Sequence, residues 1–354
     1  MFQMRHRKFR DLRIYACLLL SLASVLEAQQ TTARFLLLQP SATSNAMGGV
    51  GTALTGDAFS AYHNPAALAF SKSFTAVGSF VKPIPVFGDI AHSFIGISRP
   101  FGSTGAFAVS ANLFWAGKQF VTSEDGGIRG ITSEFDWVGK ISYALPVRNN
   151  LALGLGISVV QRRVWEDIKD FRNQHSYEYK LTLPNRLGIM MDAGVFIQNL
   201  IPGLPSFSNR EFTGSPLDPS HEAGLSLAVS LLNVGPELYS ALEESTDPLP
   251  TKLMIGLAYS PIQVGILEFK LASDLEKQLH EPSTLDYVHL GGEAGVGGVL
   301  RLRAGYFADT FGPKNSYFTC GGGIRMRFLA LNVARYTRAL LPSWHFDGVL
   351  SLEL

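Results

Sequence analysis

Few residues in this 354-residue chain have the types and spacing for chemistry. No GxSxG elbow, GxxxxGK[ST] loop, HExxH pair or CxxC pair occurs, so hydrolase, phosphate-binding and zinc readings lack a starting motif. The eight histidines are scattered, with no spacing that sets two on one face of an element. His63 stands beside Asn64, and a hydrogen-bonding role suits it better than catalysis or metal binding. Cys320 falls on an alternating segment and is read as an inert small residue. The sequence therefore predicts no catalytic residue, no metal site and no cofactor. What remains is a set of charges at alternating positions: Asp136, Lys140, Asp192, Lys252, Glu268, Lys270, Asp274, Glu293, Arg301, Arg303, Arg325 and Arg327. On the inner wall of a barrel they would make a lumen network, late basic residues facing earlier acidic ones. A paired network anchoring an inner element is the favoured reading; a selectivity lining for a solute is the sharper one. The mixture of signs does not describe a strongly ion-selective pore.

The elements that would position these charges are short alternating segments. Over Glu134–Leu145, Phe135, Trp137, Ile141, Tyr143 and Leu145 fall on one face and Glu134, Asp136, Lys140 and Ser142 on the other. Leu267, Phe269 and Leu271 oppose Glu268, Lys270 and Asp274, and Leu300, Leu302, Ala304 and Tyr306 oppose Arg301, Arg303 and Gly305. This two-residue period is that of a strand with one face in lipid. Fourteen such segments can be marked, near 73–82, 90–99, 105–117, 133–146, 151–165, 186–198, 222–234, 251–260, 264–275, 286–296, 299–309, 316–328, 329–339 and 343–354. Connections alternate short and long, as the inner turns and outer loops of an outer-membrane barrel do. One inner connection, Asn199 to His221, is long and carries four prolines. Trp115, Trp137, Trp165 and Trp344 lie towards expected strand ends, where barrels carry aromatic girdles.

Composition and targeting agree. Arg5, Arg7, Lys8, Arg10 and Arg13 precede an apolar run from Ala16 to Leu26, the form of a secretory signal peptide and too short for a spanning helix. An uncleaved anchor is the alternative. Cutting after Ala28 leaves 326 of the 354 residues and takes the formal charge from +1 (30 minus 29) to −2 (25 minus 27). No basic patch then argues for nucleic acid. Cys17 leaves with the leader, so Cys320 has no partner for an internal disulfide. Hydrophobic residues make up 46% of the chain, yet no apolar run reaches the ~18–20 residues of a spanning helix. An exported, apolar chain without such helices fits strands closed into a barrel; a secreted sandwich or propeller is the competing class.

The stretch from Ala33 to Phe70 is different: rich in small residues and without sustained alternation. Asn64 followed by Pro65 has the form of an N-cap with proline at the first helical position, leading Ala66-Ala67-Leu68. Asp57 could cap a preceding turn through Tyr62. The stretch is read as a plug inside the barrel, with Asp57, His63, Asn64, Pro65 and Ala66 as candidates for the plug or a ligand path; a helix and loop of a soluble domain is the alternative. The glycines at 291–298 and 321–323 would mark close approach of that inner element. The expected architecture is an all-β transmembrane antiparallel barrel of about fourteen strands: 1–28 signal peptide, 29–72 plug, 73–354 barrel in the bacterial outer membrane.

The pattern FLLLQPSATSNAMGGVGTALTGDAFSAYHNPAALA resembles the N-terminal signature of the PorV/PorQ group within the FadL-like outer-membrane barrels. A second block, Leu225–Tyr259, resembles its mid-barrel segment through Asn233-Val-Gly235-Pro236 and Leu249-Pro250-Thr251. The PorV/PorQ resemblance implies work with type IX secretion: partner subunits, and exported proteins with C-terminal signal domains received or presented for surface attachment. The wider FadL-like resemblance implies fourteen strands and passage of hydrophobic small molecules, such as long-chain fatty acids, through an apolar pocket beside Asn64–Phe70. There the asparagine-proline-alanine motif, matched by Asn64-Pro65-Ala66, belongs to the hatch. The compact mature chain and the form of its N-terminal stretch place the secretion role first and the channel second. Lipid deacylation, a third role connected with the group, finds no nucleophile motif here.

Overall fold

The computed structural model describes residues 33–352 apart from residues 55 and 265 and the segments 84–88, 123–127, 170–177, 183–185, 202–206, 209–223, 241–244, 281–284, 313–314 and 338–342. The expected leader lies outside the described residues, as does most of the 199–221 connection. Fourteen strands close an antiparallel barrel in sequence order. They are β1 Phe74–Val81, β2 Ala91–Pro100, β3 Ala106–Thr122, β4 Ile128–Arg148, β5 Leu151–Lys169, β6 Arg186–Ile197 and β7 Gly224–Val234, then β8 Lys252–Val264, β9 Leu267–Gln278, β10 Tyr287–Val296, β11 Leu300–Asp309, β12 Tyr317–Arg325, β13 Leu329–Tyr336 and β14 Ser343–Leu352. The seam is β1 on β14, in register from Phe74↔Leu352 to Val81↔His345. Closure leaves no strand edge, which a spanning sheet in lipid requires. Strands β3, β4 and β5 run to 17, 21 and 19 residues, about twice the ~9–11 that cross a bilayer. Much of the sequence read as loop at 118–132 and 166–185 is therefore sheet continuing past the membrane, and Trp115 and Trp137 lie within strands rather than at their ends.

The alternation places side chains as the sequence predicts. Ile95, Ile141, Leu155, Ile157, Leu271, Leu302 and Phe318 are exposed on the outer surface, while Asp136, Asp192, Glu268, Asp274, Arg301 and Arg303 are buried inside. No described helix is long and apolar enough to cross a membrane, and the apolar outer wall of a closed barrel does so instead. The protein is a bacterial outer-membrane barrel.

Inside runs the segment 33–72, a chain of short turns: a 3-10 turn Arg34–Leu37, one helical turn α1 Ala42–Ala46, another α2 Ser60–His63, and a 3-10 turn Pro65–Phe70. Phe35 and Leu36 pack among Val138, Val160, Met190, Leu238 and Leu249 at the long-loop end of the lumen. The segment leaves at the short-turn end, where β1 begins. Small residues let backbone meet backbone: a Cβ on Gly291 or Gly305 would collide with the main chain of Met47 and Gly48, and Gly48 itself has φ +75°. The glycine runs of β10–β12 are where the wall admits the inner segment.

Candidate functional site

The inner segment leaves many backbone groups unmatched by its own short turns, and the wall supplies partners for them. Asp274 on β9 accepts the amides of Gly51 (2.8 Å) and Thr52 (2.9 Å). Asp347 on β14 accepts the Ala42 amide (2.6 Å) and the Ser41 hydroxyl (3.3 Å). The Gly48 carbonyl takes a hydrogen bond from His289 Nδ1 (2.8 Å), and the Gly48 amide donates to Thr319 Oγ1 (2.9 Å). Amide-to-carboxylate bonds contribute ~1.5–3 kcal/mol each. Asp347, His289 and Thr319 are anchors that no motif flagged. Their only sequence signal is a polar residue on the inward face of a strand.

Asn64-Pro65-Ala66 forms the expected cap. Asn64 Oδ1 accepts the Ala66 amide (2.9 Å), while Nδ2 donates to the carbonyls of Thr52 (3.3 Å) and Val195 (3.1 Å). The turn sits on the glycines of β5 and β6, since a Cβ on Gly154 or Gly194 would strike Ala66 or Asn64. These three residues anchor the segment; they line neither of the two lumen cavities described below. On the Phe196 side the apolar space beside Asn64–Phe70 is filled, with Phe70 tilted against Phe196 at 5.2 Å amid Ala152, Ala228 and Ala258. His63 bonds the Ser44 hydroxyl (3.1 Å), and Asp57 accepts the Phe59 amide (2.8 Å).

Burial and the Asp347 charge push the Asp57 carboxyl up to about 6, and burial holds the His63 imidazole down at about 3. Native Asp57 thus binds its proton more tightly than the unfolded chain, so its contribution to stability declines as pH rises from about 4 to 6. His63 acts oppositely, its neutral form costing stability as pH falls below ~6.5. Asp57→Asn should therefore gain stability over wild type above pH 6 and converge with it near pH 4. Thermal unfolding in detergent across this range reads the difference.

The charged residues pair around the wall, and the inner segment occupies the centre. Arg162 on β5 pairs with Glu134 and, at 3.2 Å, with Asp136 on β4. Arg301 on β11 pairs with Glu268 on β9 and lies 3.6 Å from Glu293 on β10, which Arg303 meets at 2.6 Å. Lys270 and Arg325 border the same cavity as Arg301 and Arg303. Arg327 is not in the lumen: β12 ends at Arg325, and residues 326–328 form the exposed turn closed by Met326 N–H to the Leu329 carbonyl (2.7 Å).

Two features bear on passage through the barrel. The first is an apolar sector: one layer of inward positions of β3–β6 carries Phe114, Val138, Val160 and Met190, with Glu134, Asp136 and Arg162 on its long-loop side and Ser110, Ser142, Ser158 and Asp192 on its short-turn side. Phe35 stacks on Phe114 at 5.8 Å, and Leu238 and Leu249 fold in from the 235–251 connection. Beneath lies a cavity of about 30 Å³ lined by Leu36, Tyr62, Asn112, Lys140, Asp192, Asn233 and Lys252.

The second feature is a break in the wall. β7 places two residues opposite Asp192, with Asn233 at φ +59°, and its pairing with β6 stops at Met191↔Val234. Asp192 spans the bulge, accepting the Asn233 amide (2.6 Å) and pairing with Lys140 (2.6 Å), which also donates to the Ala61 carbonyl of α2 (2.5 Å). Asn233 Nδ2 donates to the Pro250 carbonyl (3.2 Å), and Thr251 Oγ1 donates to the Asn233 carbonyl (2.9 Å). The two recognisable pieces of the mid-barrel block are thus one clamp.

No family model and no curated protein matches this chain. Solved structures do. The monoaromatic hydrocarbon channel CymD superposes with a TM-score of 0.55 at 12% identity, over 90% of this chain and 99% of that one. The toluene transporter TodX of Pseudomonas putida gives 0.54 at 13%, over 89% and 98%. A FadL homologue of Pseudomonas aeruginosa gives 0.51 at 11%, over 89% and 98%. The chain has the fold of these channels. At such identity the likeness concerns the fold.

Proposed function

We propose that the protein is a non-enzymatic outer-membrane channel for hydrophobic small molecules. The observation that carries this reading is the apolar sector of β3–β6. A water-filled pore has a polar lumen, whereas Phe114, Val138, Val160 and Met190 offer an apolar solute a layer of inward-facing contacts, below the ion pairs of Arg162 with Glu134 and Asp136. Leu238 and Leu249 cover that layer, and segment 29–72 acts as the plug below it within the 73–354 barrel. With only about 30 Å³ open beneath the sector, the arrangement is a closed state. Passage requires the 235–251 connection and the plug to yield. The titles of the similar structures, hydrocarbon channels and toluene transporters, support the same direction.

Uptake of radiolabelled toluene and of a long-chain fatty acid, by cells expressing the protein in place of their own channels, tests this reading. Transport above the empty-vector control is expected, and Met190→Asp should lower it at least several-fold by placing an unpaired charge in the sector. No transport of either compound would sink the channel reading. The type IX secretion role rests on the resemblance of residues 33–70 and 225–259. Co-purification of secretion subunits or signal-bearing proteins from native membranes, with no transport, would restore it.

A further inference from the structure

A second cavity, of about 160 Å³, lies on the other side of the plug, between it and the wall β9–β14. A single water needs on the order of 15 Å³, so the space takes a small polyatomic ion with waters around it. Its lining reaches Lys72 and Arg325, at the short-turn end of the barrel. Lys72, Lys270, Arg301, Arg303 and Arg325 border it, against the carboxyls of Asp57 and Glu293. Two more carboxylates stand behind: Glu268 on Arg301, and Asp347 bonded to Ser41 and Asn332. Of the described residues that line the cavity, five are cationic and two carry carboxyls. Arg301 is 3% exposed, and its ion pairs run through Nη1 and Nε, so its Nη2 makes no hydrogen bond. A buried guanidinium N–H without an acceptor is costly, and a planar donor fork suits an oxoanion. The hydroxyls of Thr43 and Ser60 border the same space as neutral donors.

We propose that this cavity is an oxoanion site of phosphate type, filled from the short-turn, periplasmic end either by free phosphate or by a phosphate monoester lipid head. It is independent of the channel reading, since it shares no lining residue with the apolar sector. Purified barrel in detergent is titrated with inorganic phosphate, with sodium chloride at matched ionic strength, and with mixed micelles carrying phosphatidic acid or phosphatidylcholine, following heat and thermal midpoint. Saturable binding of phosphate and of phosphatidic acid is expected. Binding of phosphatidic acid alone assigns the site to a lipid head. Arg301→Gln should weaken binding about tenfold or more, the loss of one charge-assisted bond. Because Arg301→Gln strands Glu268, the double variant Arg301→Gln/Glu268→Gln, neutral in net charge, should show the same loss with a recovered thermal midpoint. A response equal to that of chloride, no binding in any arm, or undiminished binding in the double variant would overturn the proposal.

Discussion

Gly305→Val should drive the plug off its wall while leaving the barrel closed. A Cβ at residue 305 would sit on the Gly48 amide and the Met47 backbone, neither of which can swing aside as a side chain does. Overpacking typically costs ~1–3 kcal/mol, and here the strain falls where the plug is held by the Gly48 amide and carbonyl. Strand pairing of β11 with β10 and β12 does not depend on that contact, so the variant should still run as a folded, heat-modifiable barrel. Limited proteolysis should then cut between residues 33 and 72, and conductance in planar bilayers should rise several-fold. The lipid-facing Gly292→Val is the matched control. Its Cβ would meet Leu271 at 3.5 Å, an ordinary contact, so it should behave as wild type. Equal protease resistance in both variants would show that the plug is not seated through these glycines.

Asp192→Ala carries the second large effect. Asp192 is 3% exposed and answers both the Asn233 amide and Lys140. Removing one partner of a buried pair costs ~3–5 kcal/mol, chiefly because the other charge stays buried alone. The variant should lose that much in denaturant unfolding. It should also release the 235–251 connection, seen as faster amide exchange at Asn233, Val234, Leu249 and Thr251. Asp192→Ala/Lys140→Met removes the stranded charge and should recover much of the stability while the bulge amide remains unpaired. If exchange in the connection stays at the wild-type rate in both variants, the clamp does not hold it.

The fold was legible because barrel strands print their environment on every second residue. All fourteen expected segments became strands, and Glu134–Leu145 faces lipid and lumen as its alternation requires. Strand ends were less legible. Once β3–β5 leave the membrane, a polar outer face no longer distinguishes sheet from loop. The Asn64-Pro65 cap could be read because it is local chemistry. The anchors Asp274, Asp347 and His289 could not be assigned, because their partners are backbone groups more than 200 residues away in sequence. Arg327 was misplaced because the alternation runs on through Arg325 into a turn, where the period has no meaning. The clamp was visible as a motif without a mechanism, since one bulge joins Asn233 to Asp192.

The seam between β1 and β14 has a consequence in time. Phe74 meets Leu352, so the pairing that closes the wall joins the first strand to the last, and contacts of that separation form slowly. The same last strand brings Asp347, the acceptor for Ala42 and Ser41. Until β14 arrives, the cylinder is open and one mooring of the plug is missing. A chain truncated before Ser343 loses seam and mooring together, so completion of the wall and seating of the plug share one final step.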